Sequence, residues 1–225
     1  MIARVIVETL KQTEGGGRIN ISQIADRAKA SSERIEQILG MLLQLEDTSG
    51  TQLSNSTRFK LAFEAARHGA LQQVARALTW QEFEAFTEDC LQSVGFDTQT
   101  GVIVKDDSRR WQIDIIAKKN RMILVIDCKH WESPGYESKL NGAAQHQKLA
   151  VQALVRQRAA RGEVGGDGLL FLPIILTLFE PRSRAVDGVV AVSIEQFADF
   201  LEGVSPFSPE LPFIPAQSVA KSSMS

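Results

Sequence analysis

Asp114 lies in the run Trp111–Ala117, and Asp127 and Lys129 lie in the run Met122–Lys129; in each, charge interrupts a mainly apolar segment of strand length. Residues two apart on a strand share a face, so Asp127 and Lys129 point together while Cys128 points away. If the strand carrying Asp114 pairs beside them, two carboxylates converge on one hard divalent cation such as Mg²⁺, which prefers oxygen ligands. Lys129 then stands beside the attacking water. Such a set suits phosphodiester hydrolysis, in which a cation lowers the pKa of water and offsets charge on the phosphate. The competing reading is a buried structural ion pair at a sheet end. Two carboxylates among isoleucines and valines are costly without partners, which favours the chemical reading.

Several elements must position these residues. The pattern Thr79-Trp80-Gln81-Glu82 is a capping box, opening a helix expected to reach Val94 before Gly95 stops it. Strands are expected at Thr98–Val104, Trp111–Ala117 and Met122–Cys128, a β-meander around turn signals. A helix over Lys139–Arg161 follows, then an apolar strand within Leu169–Phe179, a short strand Val189–Val192 and a helix Ile194–Leu201. Upstream, Ile2, Val5, Ile6 and Leu10 recur at helical spacing until Gly15-Gly16-Gly17. A second helix is expected near Ile21 with Asn20 or Ser22 as its cap, and a third from Ser32 to Leu45. With the polar stretch after it as a short β-wing, this order resembles a winged helix-turn-helix domain. The expected organisation is a winged-helix-like domain over 1–55, a helical linker over 56–78, an α/β domain over 79–203 and a flexible proline-containing tail over 204–225.

Asp114, twelve intervening residues and then Asp127-Cys128-Lys129 resemble the D…(D/E)xK signature of the PD-(D/E)xK nuclease superfamily. The helix WQEFEAFTEDCLQSVGF resembles the segment that opens the Mrr-like and archaeal restriction-endonuclease-like branch, and the ending Cys128-Lys129-His130-Trp131 is similar to that branch as well. The resemblance covers Thr79–Leu201. It implies an α/β (α+β mixed sheet) fold with a restriction-endonuclease-like core, here preceded by the mostly helical winged helix-turn-helix domain. It also implies Mg²⁺-dependent cleavage of DNA, with Mn²⁺ as a substitute, and metal ligation by Asp114, Asp127 and the main-chain carbonyl of Cys128. By the same resemblance Glu84 contributes to the metal site and Lys129 positions or activates the water. Asp127 stands where many relatives carry Glu, a ligand shorter by one methylene. The helix after the motif offers Gln145, Gln147 and Gln152 for the branch's recurrent glutamine, with Gln145 or Gln147 favoured.

The 225 residues are 23% charged with a mean hydropathy of -0.08, ordinary for one core plus a small second module. The apolar run Leu169–Phe179 is too short to cross a bilayer and the N-terminus lacks a signal-peptide pattern, so no membrane partner and a cytoplasmic location are expected. Two cysteines and three scattered histidines support neither a disulfide framework nor a zinc site. Cys128 is read as a core residue. A net charge of -2 does not advertise nucleic-acid binding, yet Lys139, Lys148, Arg156, Arg158 and Arg161 follow one another with no acid between them. That helix is therefore expected to meet phosphates. Candidate DNA contacts are His130, Gln145, Gln147 and Lys148 near the motif, and Arg34 and Gln37 on the third helix. The expected function is a metal-dependent DNA endonuclease of repair, recombination or restriction, working as a homodimer because two strands must be cut. The rival is a non-catalytic DNA-binding regulator, or a scaffold that meets a repair-protein partner.

Overall fold

The computed structural model describes residues 1–106, 109–131, 136–163 and 168–216. The expected loop at Ser133-Pro134-Gly135 and part of the one around 162–168 lie outside them. The chain divides into two compact units, Met1–Phe83 and Glu84–Ser225. The division falls inside helix α6.

The first unit is helical. Helix α1 (Ile2–Gln12) buries Val5, Ile6 and Leu10 against α2 (Ile21–Ala28), α4 (Asn55–Arg67) and α5 (Leu71–Ala77). Asn20 caps α2 by accepting the Gln23 N–H at 3.1 Å. Helix α3 (Ser32–Leu43) is capped by Ser31, and Lys29 makes the left-handed turn between the two. This is helix-turn-helix order. The expected wing is reduced to a single antiparallel bridge, Arg18 with Gln52, flanked by Ile19 N–H to Thr51 O at 2.9 Å. Residues 56–78 are not a linker, because α4 and α5 bury Leu61, Ala62, Ala65 and Val74 within this unit. Arg58, only 3% exposed, fixes them: its guanidinium donates to Glu82 Oε1 at 2.6 Å and Oε2 at 3.0 Å, to Leu10 O at 2.7 Å and to Thr13 Oγ1 at 2.6 Å. Every direction of the fork is satisfied, as a buried charge requires.

The second unit is a mixed α/β fold. Helix α6 (Trp80–Ser93) begins at the expected capping box, with Thr79 N–H to Glu82 Oε2 at 2.9 Å and Glu82 N–H to Thr79 Oγ1 at 3.2 Å. Gly95, at φ +86, lets the chain turn out of it. Strands β1 (Asp97–Lys105), β2 (Arg110–Lys119) and β3 (Met122–Lys129) form the antiparallel meander. Helix α7 (Glu137–Ala160) then crosses over to β4 (Leu170–Thr177), parallel to β3. Strands β5 (Ala185–Val186) and β6 (Val189–Ser193) complete the path β1-β2-β3-β4-β6-β5, followed by α8 (Ile194–Gly203). Strand β4 is buried almost throughout, as a central parallel strand must be. The tail is ordered further than expected: β7 (Ile214–Pro215) pairs antiparallel with β4, and Ala216 joins the core. Residues 217–225 lie outside the described residues.

Candidate active site

The motif carboxylates stand where two ladders are interrupted. Strands β2 and β3 pair from Lys119↔Met122 as far as Ile115↔Ile126, and the next residues are Asp114 and Asp127. Between β1 and β2 one pair is skipped, between Thr100↔Ile115 and Val102↔Ile113, and the skipped residues are Gly101 and Asp114. Gly101 has φ +61, the left-handed region that glycine adopts without steric cost. Trp111, Ile113 and Ile116 all belong to the core cluster shared with Ala150, Val151 and Leu154 of α7. Regular alternation would send Ile113 and Ile116 to opposite faces, so the alternation of side chains is reset at Asp114, while the register of β1 with β2 is the same on either side. The freed carboxylate replaces the missing ladder bond: Asp114 Oδ2 accepts the Cys128 N–H at 2.8 Å.

Asp127 Oδ1 takes Lys129 Nζ at 2.7 Å, whereas Asp127 Oδ2 is buried and meets no donor among the described residues. Burial, together with the charge of Asp127, raises the Asp114 carboxyl to about 6, although the Cys128 N–H pulls the other way. On α6, Glu84 precedes the buried Thr87 and Leu91 on the same stripe. Burial, then the charges of Asp114 and Asp127, push Glu84 up to about 7 against the pull of Lys129. Burial drives the Cys128 thiol well above its usual range, so it offers no thiolate, while Thr87 hydrogen-bonds it. Three carboxylates and one lysine thus share a field that leaves Glu84 and Asp114 reluctant to ionise. A divalent cation is what relieves such repulsion.

The residues present fit a cation of the Mg²⁺ type. Among the described residues no group of three or more His, Cys, Asp and Glu side chains forms a metal cage. Mg²⁺, however, commonly takes only one or two protein carboxylates and keeps waters or phosphate oxygens for the rest. Asp114 and Asp127 provide that pair, and the donorless Asp127 Oδ2 is an acceptor already desolvated.

The remaining sequence candidates separate. Gln147 is 2% exposed, and its amide donates to Val125 O at 2.7 Å and Ile174 O at 3.3 Å, so it ties α7 to the sheet and cannot reach DNA. Gln145 is exposed on α7, and His130 is partly exposed just beyond β3. Lys148 pairs with Asp187 at 2.9 Å. The acid-free stretch of α7 is not acid-free in space, since Arg156 meets Asp106 at 3.3 Å and Arg158 and Arg161 approach Glu163. In the other unit Arg34 and Gln37 are exposed neighbours on α3, bonded to each other at 3.1 Å. Sequence reasoning missed Gly101, Arg109, Trp111 and His146. A glycine inside a β-branched strand was the available signal for the first; the others declare themselves only through contacts.

Residues 75–166 match the Mrr_cat family model, described as restriction endonuclease. An uncharacterized protein of Archaeoglobus fulgidus is 23% identical over 141 residues, which is 61% of this chain and 100% of that protein. A crystal structure of a protein of unknown function, AF1548, is similar at a TM-score of 0.31 and 18% identity, over 63% of this chain and 65% of that one. Among the described residues no helix is long and apolar enough to cross a membrane. The segment similar to the restriction endonuclease family model contains Glu84, Asp114, Asp127 and Lys129.

Proposed function

We propose that the protein is a metal-dependent DNA endonuclease. The observation that carries this is the junction of Asp114, Asp127 and Lys129 where the β2–β3 ladder stops, with Asp127 Oδ2 buried and without a donor. Asp114, Asp127 and the main-chain carbonyl of Cys128 would hold Mg²⁺ or Mn²⁺, which when bound lowers the pKa of water and neutralises charge on a phosphate. Lys129, anchored on Asp127 Oδ1, keeps its ammonium at the mouth of the site, where it orients the attacking water and stabilises charge growing on the phosphate. Glu84 completes the acidic set; without a cation, burial and the charges of Asp114 and Asp127 push its carboxyl up to about 7. The first unit supplies a helix-turn-helix whose α3 presents Arg34 and Gln37 to DNA. Cutting both strands calls for a homodimer, and repair, recombination or restriction are the settings that use such an enzyme.

The test is cleavage of linear, nicked, flapped and four-way-junction DNA with Mg²⁺ or Mn²⁺, with EDTA, Asp114→Ala and Lys129→Ala as controls. The expected result is metal-dependent cutting, abolished by Asp114→Ala and reduced by roughly a hundredfold or more by Lys129→Ala. Cutting that survives both substitutions would refute the assignment. Tight binding without cutting would instead favour a DNA-binding regulator or a repair scaffold built on the helix-turn-helix.

A further inference from the structure

Strand β2 and helix α7 build a second feature beside the carboxylates. Trp111, 5% exposed, lies on β2 three residues before Asp114. Its indole N–H donates to Asp106 Oδ2 at 3.2 Å, an oxygen that also accepts Arg156 Nη2 at 3.3 Å. Asp106 Oδ1 takes the backbone N–H of Arg109 at 2.9 Å, so the ring and the start of β2 are held by one carboxylate. The Arg109 guanidinium carbon lies 4.4 Å from the Trp111 ring centroid, and the His146 ring lies 5.0 Å away with a tilt of 59°.

The position of His146 follows from the crossover. Because β3 and β4 are parallel, α7 runs back against the direction of β3, and the residues before Gln147 lie toward Asp127 and Lys129. Gln147 pins this turn through Val125 O, two residues before Asp127. His146 accordingly feels the charges of Asp127, Arg109 and Lys129, while burial holds its imidazole below the usual range. At neutral pH it is an N–H donor more than a charge.

A phosphate approaching Glu84, Asp114 and Asp127 meets three carboxylates and one lysine, a poor balance for a polyanion. Lys148 and Arg156 are engaged by Asp187 and Asp106. Among the described residues no carboxylate pairs with the guanidinium of Arg109, which is exposed and stacked on an indole. Stacking preorganises the guanidinium fork, the geometry that matches a phosphate.

Resting on the nuclease reading, we propose that Arg109 and His146, both packed on Trp111, form a phosphate-binding shelf that grips the DNA backbone next to the phosphate being cut. Arg109 brings charge and His146 a neutral donor. Both are positioning residues, and their effect falls on KM more than on kcat.

The test uses the full chain, a labelled duplex, and Ca²⁺ in place of Mg²⁺ for binding over a salt series. Arg109→Gln is expected to weaken binding about fivefold and to lower the slope of log Kd against log salt by about 1, the loss of one phosphate contact. His146→Leu is expected to weaken binding about threefold with no change in slope, and His146→Gln, which keeps a donor, to recover most of the loss. An unchanged affinity and slope in Arg109→Gln, or a fall confined to kcat, would overturn the shelf. If Asp127→Ala abolishes cutting while Arg109→Gln binds like the wild type, the shelf fails and the nuclease stands. A wild type that never cuts, but whose affinity and slope depend on Arg109, keeps the shelf and removes the nuclease. A wild type that does not bind DNA removes both.

Discussion

Replacing Glu84 by Gln should stabilise the metal-free protein at alkaline pH while removing a group the reaction uses. Burial and the charges of Asp114 and Asp127 raise Glu84 from 4.5 to about 7, so the folded state holds its proton more tightly than the unfolded chain does. A raised pKa contributes stability that is fully present below the unfolded value and is lost as pH rises through the folded one. The window is therefore about pH 4.5 to 7, and Asp114, raised to about 6, acts in the same direction. Full linkage for Glu84 would reach roughly 3 kcal/mol at about 1.4 kcal/mol per pH unit; the carboxyl is only partly buried, which reduces this to about 1.5 kcal/mol. Urea unfolding in EDTA, followed by the fluorescence of the buried Trp111, should give a wild-type stability that falls between pH 5 and pH 8. Glu84→Gln should fall less, ending about 1.5 kcal/mol above the wild type at pH 8. Mg²⁺ should raise the wild-type value more at pH 8 than at pH 5, because the ion needs ionised ligands. Parallel curves for the two proteins from pH 5 to pH 8 would refute the electrostatic account of the site.

Two further substitutions probe the frame. Arg58→Met leaves Glu82 buried without its bidentate partner and is expected to cost about 3–5 kcal/mol in urea unfolding followed by circular dichroism, whereas a loss below about 1 kcal/mol would mean the fork is ornamental. Gly101→Ala meets no steric neighbour, yet its φ of +61 should cost about 1 kcal/mol, and cutting should suffer beyond that loss because Gly101 stands opposite Asp114 in the skipped pair.

The second unit was legible because its signals are local. The capping box at Thr79, the stop at Gly95 and the three strands of the meander each depend on residues within a few positions of one another. The first unit was read too short because its decisive partner is remote: Arg58 finds Glu82 twenty-four residues later and Leu10 forty-eight residues earlier. The tail was read as flexible because β7 contributes only two residues, too few for a periodic pattern, and gains its order by pairing with β4. The ion pairs along α7 were not legible for a related reason. Absence of acids along the chain says nothing about Asp106 and Asp187, which the fold brings to it. Even Gln147, selected as a DNA contact, is consumed by main-chain carbonyls that no spacing rule reveals.

The spacing of the motif is itself a consequence of the hairpin. Lys119↔Met122 closes β2 and β3 around Asn120 and Arg121, with Asn120 at φ +55, a conformation asparagine tolerates. From that closure each step down one strand is matched by a step up the other, through Ile115↔Ile126, and the next residues are Asp114 and Asp127. Twelve residues between the carboxylates is therefore what a two-residue turn and five paired positions on each strand require. A regular ladder continued at that point would pair Asp114 with Asp127 directly, their side chains on one face. Here β1 skips its pair at Gly101, the alternation is reset, and the Asp114 carboxylate turns along the sheet to the Cys128 N–H. Asp127 is left with one oxygen on Lys129 and one buried without a donor. The chemistry of the site thus sits where regular pairing stops: the register carries Asp114 and Asp127 to opposite positions on neighbouring strands, and there the Cys128 N–H meets the Asp114 carboxylate.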